Sequence, residues 1–139
     1  MIAYVDTSVL LRVVLGQPDR LAAWGDIQQA VTSAITEVEC LRSLDRRHLQ
    51  GLLPASEYPQ RRALACRLLE RMDRVSVSPA VLRRAADPFP TPLGTLDALH
   101  LATALLWGHG QGALPVMTTH DTQLATAARA MGFDVEGAP

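Results

Sequence analysis

Five acidic side chains stand where this sequence changes its local pattern: Asp6, Glu37, Glu39, Asp97 and Asp121. Asp6 closes the apolar run Ile2-Ala-Tyr-Val5, and Asp121 follows the run Leu114-Pro-Val-Met-Thr118. Asp97 and Glu39 (or Glu37) fall in the first turns of segments with helical spacing. Carboxylates gathered in one pocket repel each other, and some take up protons unless a cation neutralises them. Donors that are all oxygen, with room left for water, suit Mg²⁺ or Mn²⁺. Such a site can activate a water and offset the charge developing on a phosphodiester, which is nuclease chemistry.

The elements around these residues must bring them together. Residues 2–5 are a short apolar run with β-branched and aromatic members, suited to a buried strand. Asp6 stops it, Thr7 and Ser8 are good helix caps, and 9–15 reads as a helix. Gly16-Gln-Pro18 breaks the pattern, and Asp19 is placed to cap a second helix reaching about residue 29. Residues 30–32 predict a short strand. A helix over 34–49 follows, with Val38, Leu41 and Leu44 on one side. After a turn-rich break, 59–72 predicts an amphipathic helix. Its apolar side carries Ala63, Leu64, Cys66, Leu68 and Leu69, and its charged side Arg61, Arg62, Arg67 and Arg71. That Arg set is a solvated face or a rim for a nucleic-acid backbone. Residues 75–77 predict a strand, and Pro79 opens a helix to residue 86. Pro88, Pro90 and Pro92 stiffen the next loop. Thr95 then caps a helix over 96–107 that is apolar nearly all round and should be buried, ended by the glycine-rich 108–112. A strand over 114–118, a helix over 124–131 and an edge strand over 133–135 complete the chain. Alternation of strands and helices predicts an α/β fold, a parallel sheet with helices on both faces, as one domain over 1–139. In such sheets strand C-termini and the following helix N-termini share an edge, so the carboxylates can converge there. A helix start also stabilises each negative charge by about 0.3–1 kcal/mol.

Composition narrows the chemistry. All 13 basic residues are Arg. Without Lys, P-loop phosphate binding and Schiff-base chemistry are excluded, while Arg can still grip a phosphate backbone. A net charge of -1 excludes a strongly basic nucleic-acid arm but not an enzyme with segregated charge. Cys40 and Cys66 lie far apart outside any Cys-x-x-Cys pair, which points to small core residues and away from zinc or redox use. There is no signal-peptide pattern and no run of about 18 apolar residues, so a cytoplasmic protein with no membrane contact is expected.

Four stretches carry a resemblance to a known family. They are Tyr4-Val-Asp-Thr-Ser-Val-Leu10, Ser33-Ala-Ile-Thr-Glu-Val-Glu-Cys-Leu-Arg42, Leu96-Asp-Ala-Leu-His-Leu-Ala-Thr-Ala104 and Val116-Met-Thr-Thr-His-Asp-Thr-Gln-Leu-Ala-Thr-Ala-Ala-Arg-Ala-Met-Gly132. Together they resemble the PIN domain, and size and layout are similar to VapC-type toxins. The resemblance spans nearly the whole chain, and its second stretch is the loosest. It implies a Mg²⁺- or Mn²⁺-dependent endoribonuclease that cuts RNA, is usually a homodimer, and is neutralised by a cognate antitoxin. It also implies that Asp6, Glu39, Asp97 and Asp121 are the catalytic and metal-binding quartet. Glu39 is preferred over Glu37 because Cys-Leu-Arg follows it, in the place of the family's usual apolar-apolar-Arg run. The two glutamates point to different sides of a helix, so one of them faces the pocket. Thr7, Ser8 and Thr119 match supporting hydroxyls that hold carboxylates or metal waters, a role compatible with helix capping. His100 follows Asp97 by three residues; the resemblance assigns it to the core or the dimer interface, not to the metal. His120 receives no role. Arg42 and Arg46 are candidate RNA contacts, and Trp24 and Trp107 are core or interface residues.

Other readings account for fewer of these residues. A phosphatase of the haloacid dehalogenase type also has an Asp after its first strand. It needs a second Asp two residues on and a later Lys, whereas this chain has Ser8 and no Lys. An inactive PIN-like scaffold that binds RNA or a protein partner would have no need of all four acids.

Overall fold

The computed structural model describes residues 1–139. Its strands are β1 (Ile2–Val5), β2 (Gln29–Ser33), β3 (Asp73–Val75), β4 (Val116–Thr118) and β5 (Val135–Glu136). Its helices are α1 (Thr7–Val14), α2 (Ile35–Leu49), α3 (Tyr58–Glu70), α4 (Pro79–Ala86), α5 (Thr95–Gln111) and α6 (Thr122–Ala130). All strands are parallel, in the order β3-β2-β1-β4-β5. The chain builds outward from β1 to β3, then returns to the other side of β1 for β4 and β5. The crevice between the C-terminal ends of β1 and β4 is thus a topological switch point, where open α/β sheets bind ligands. The α/β class and the parallel sheet expected from the sequence are both present.

Successive residues of a strand face opposite sides of the sheet. Val5 joins a core with Val9, Leu10 and Val14 of α1, Cys40 and Leu44 of α2, and Ala65 and Leu69 of α3. Tyr4 joins the second core with Val31, Met117, Leu101 and Ala104 of α5, and Leu124 and Ala128 of α6. Fully burying one such Leu or Val contributes about 1.5–3 kcal/mol. Helices therefore cover both faces, and β1 is buried from Ala3 onward. No helix is long and apolar enough to cross a membrane.

Several elements differ from the expectation. The helix expected over 19–29 is only a 3₁₀ turn, Ala22–Asp26. Asp19 does not cap it, because its carboxylate pairs with Arg12 at 2.7 Å, and Gly25 costs about 1 kcal/mol inside any longer helix. The strand expected over 75–77 lies two residues earlier, at β3. Ser78 is committed as the cap of α4, accepting from the Val81 N–H at 3.2 Å, so the strand must finish sooner. Gly94, not Thr95, is the cap of α5. That helix runs past Trp107 to Gly112, whose φ of +81° stops it. Gly108 lies inside α5, where a Cβ would stand 2.8 Å from the Leu114 side chain. On α2 the buried residues are Thr36, Cys40 and Leu44, four apart, while Val38 faces solvent. On α3 the buried pair is Ala65 and Leu69, and Cys66 is half-buried.

Candidate active site

Asp6 sits at the C-terminal end of β1 and caps α1. Its Oδ2 accepts from the Ser8 N–H (3.3 Å), the Ser8 hydroxyl (2.5 Å) and the Thr119 hydroxyl (2.9 Å). Thr119 in turn accepts from the Asp121 N–H at 3.0 Å, and Ser8 Oγ accepts from the His120 N–H at 3.0 Å. The loop after β4 is thereby stitched to the loop after β1. Hydrogen bonds to an ionised carboxylate are the strong ones, about 1.5–3 kcal/mol each. Ser8 and Thr119 thus hold the carboxylate, while capping of α1 is done by Asp6 itself.

Glu39 lies on the second turn of α2 and reaches back toward β1. Its Oε1 accepts from the Thr7 hydroxyl at 2.9 Å and meets His100 Nε2 at 2.6 Å. His100 is 1% exposed, and its Nδ1 meets the Tyr4 hydroxyl at 2.8 Å. Its Nε2 also lies 3.6 Å from Asp6 Oδ1. The core placement expected of His100 is present, but no local pattern signals that it joins two of the acids. Both ring nitrogens are taken, so His100 is not disposed as a metal ligand. Burial alone would lower the His100 pKa, yet the bond to Glu39 and the charge of Asp6 outweigh it and the pKa is raised. Burial alone would raise that of Glu39, yet His100 and Thr7 together lower it. The two shifts agree on a charge-assisted pair.

Asp97 and Asp121 complete the ring. Asp121 caps α6, accepting from the Leu124 N–H at 2.8 Å. Asp97 lies in the first turn of α5, on the same helix face as His100 one turn on. Burial and the charges of Asp121 and Asp6 push its pKa up to about 6. The charges that act on Asp97 place it near the end of β1 and the start of α6. No three Asp, Glu, His or Cys side chains close around a single point. The donors nonetheless fit a hard cation that keeps several waters: they are oxygens only, Asp6 keeps Oδ1 clear of the hydroxyls that hold Oδ2, and Asp97 is destabilised as a bare anion.

Residues 3–130 match the PIN domain. The chain belongs to the PIN-domain family. Ribonuclease VapC35 of Mycobacterium tuberculosis is 36% identical over 138 residues, covering 95% of this chain and 93% of its own. Ribonuclease VapC46 of the same species is 30% identical over 135 residues, at 95% and 94% coverage. Among solved structures, a toxin–antitoxin complex from Klebsiella pneumoniae superposes with TM-score 0.66 at 19% identity, over 94% of each chain. VapBC2 from Rickettsia felis, bound to a DNA fragment from its promoter, gives TM-score 0.63 at 14% identity over 98% of each chain. At those identities the superpositions establish the shared fold.

In this PIN domain Glu37 turns away from the pocket and pairs with Arg74 of β3 at 3.2 Å. Arg42 and Arg46 are exposed on the outer side of α2, where Arg42 pairs with Asp45 at 3.0 Å and both line a shallow groove with Leu49 and Gln50. Of the other Arg residues considered, Arg61 is tied down: it donates to the Val14 carbonyl at 3.0 Å and satisfies the end of α1. Trp24 and Trp107 pack, half-buried, against the two cores. The sequence reading missed Tyr4 and the cleft lined by Thr91, Pro92, Thr122, Gln123 and Thr126 along the first turn of α6. The period-two spacing of Tyr4 and Asp6 was the available signal for the first. The second joins segments thirty residues apart and had none.

Proposed function

We propose that this chain is a Mg²⁺- or Mn²⁺-dependent endoribonuclease and the toxin of a toxin–antitoxin pair. The observation that carries the reading is the seating of Asp6 and Asp121 at the two strand ends beside the switch point of the sheet, their loops joined through Thr119, with Asp97 close enough that their charges raise its pKa. Asp6, Glu39, Asp97 and Asp121 would hold the ion. When bound, it supplies an activated water and offsets the charge developing on the phosphodiester. Ser8 and Thr119 fix Asp6, and Thr7 and His100 fix Glu39, so both carboxylates are oriented before substrate arrives. Pre-set polar groups need no reorganisation at the moment of reaction. Arg42 and Arg46 offer guanidinium groups to the phosphates of an RNA strand lying along α2. The names of the similar proteins, ribonucleases and toxin–antitoxin complexes, support the same reading.

The antitoxin's seat is the outer side of α2 and the turn after it. Leu49 and Leu52 are 76% and 68% exposed there, beside a groove lined by Leu11, Ser43, Arg46 and Arg47. Leu82 of α4 and Leu96 of α5 are also exposed, and these two packed helices form the face for a second copy of the chain. Purified protein should cut RNA with Mg²⁺ or Mn²⁺ and stop when a chelator is added, and Asp97→Asn should be inactive in both. Cleavage undiminished in chelator overturns the metal-dependent reading. RNA binding without cleavage under any metal favours the inactive scaffold.

A further inference from the structure

His100 is buried in contact with Glu39 and Asp6, and the proton on its Nε2 can be placed from its neighbours. Nε2 faces Glu39 Oε1 at 2.6 Å and Asp6 Oδ1 at 3.6 Å, which as carboxylates only accept. Thr7 Oγ1, at 3.4 Å, directs its hydrogen to Glu39. Nε2 therefore carries a hydrogen and donates it to Glu39 whether the ring is neutral or cationic. Nδ1 has one partner, the Tyr4 hydroxyl, which donates to a neutral ring or accepts from a charged one. Tyr4 is fully buried, so it fixes the ring's orientation from below, with the two rings edge to face at 75°. Both hydrogen bonds to Glu39 fall on Oε1, which leaves Oε2 as its oxygen without a protein donor.

We infer that His100 is a positioning residue: braced by Tyr4, it holds Glu39 by Oε1 so that Oε2 is presented to the divalent cation of the carboxylate cluster. The inference rests on the metal-dependent reading above. Partners behind a metal-binding carboxylate or imidazole typically change metal affinity by roughly 10–100-fold when removed. Tyr4 reaches the ion only through His100 and then Glu39, so its hydroxyl acts at two removes.

The test is calorimetric titration of Mn²⁺ into the full chain as wild type, His100→Ala, His100→Gln, Tyr4→Phe and the double variant Tyr4→Phe/His100→Ala. Tyr4→Phe deletes one oxygen from a packed ring and serves where His100→Ala does not fold. His100→Ala should weaken Mn²⁺ binding by about 10–100-fold. His100→Gln, whose amide N–H replaces the Nε2 donor, should recover part of that loss. Tyr4→Phe should weaken binding by a smaller factor, and that factor should vanish in the His100→Ala background, because coupled residues are not additive. In chelator, ¹⁵N spectra of the wild type should show a His100 Nε2–H protected from exchange, a readout independent of any metal. Wild-type affinity in His100→Ala, or in Tyr4→Phe where His100→Ala does not fold, or a Nε2–H in free exchange, overturns the positioning role while leaving the metal reading intact. A wild type that binds no Mn²⁺ overturns both.

Discussion

The two halves of the carboxylate ring are built differently. Asp6 and Glu39 are wrapped in donors: three groups bind Asp6 Oδ2 and two meet Glu39 Oε1. Asp97 has no hydrogen bond acting on its pKa, and Asp121 gives one oxygen to the backbone of α6 and is otherwise exposed. Burial acts on both Glu39 and Asp97, but for Glu39 it is offset by hydrogen bonds and for Asp97 it is compounded by like charge. Glu39 ends with its pKa lowered, and Asp97 ends near 6. The first half is a preset cradle. The second is a pair of carboxylates with few donors, where the cation of the proposed function would bring its largest stabilisation.

Removing a charge on the preset side should be as damaging as removing Asp97. Glu39→Gln should reduce RNA cleavage by roughly 10²-fold or more, since it takes away a prearranged charge on which the reaction depends. Initial rates on a defined RNA in Mn²⁺ check this, and a rate within severalfold of wild type would show the preset half to be structural. A middle-sized effect is the pH response of the open half. A cation must displace the proton from Asp97, so Mn²⁺ affinity should fall by roughly tenfold per pH unit below about 6. The sign for stability follows from the same raised pKa. Asp97 supports folding fully below its ordinary value of 3.8, and that support is lost as pH rises through about 6. His100, also raised, acts in the same direction above 6.5, whereas Glu39, lowered, withdraws its support only as pH falls below 4.5. Metal-free protein should therefore melt higher at pH 5 than at pH 7.5, and Asp97→Asn should flatten that slope. The smallest effect is outside the ring. Glu37→Gln breaks an exposed pair with Arg74, costs about 0.2–1 kcal/mol at most, and should leave most of the cleavage rate.

The acids stand at strand ends and helix starts, which apolar runs and capping residues mark in the sequence, so their common edge was legible once the sheet was read as parallel. What escaped depended on contacts between distant residues. Asp19 looked like a cap until Arg12 claimed it. Residues 75–77 had strand composition, but Ser78 was needed to start α4. Val38 fitted an apolar stripe on α2, yet the stripe that packs is Thr36, Cys40 and Leu44. The bond between His100 and Glu39 joins residues 61 apart, and no local pattern announces it.

The contrast between the halves is tested most directly by thermal melting of wild type and Asp97→Asn, in chelator and in Mg²⁺, at neutral pH. Asp97→Asn keeps the side chain's shape and removes one of the crowded charges. It gives up only the helix-start contribution of about 0.3–1 kcal/mol, whereas two charges ~5 Å apart repel by about 3 kcal/mol at an effective dielectric near 20, a figure that water in the open pocket reduces. The variant is predicted to melt higher than wild type in chelator, and Mg²⁺ is predicted to raise the wild type more than the variant, because an ion stabilises only the state that binds it. A variant that melts lower in chelator and responds to Mg²⁺ as wild type does would make Asp97 an ordinary helix-start residue and contradict the account.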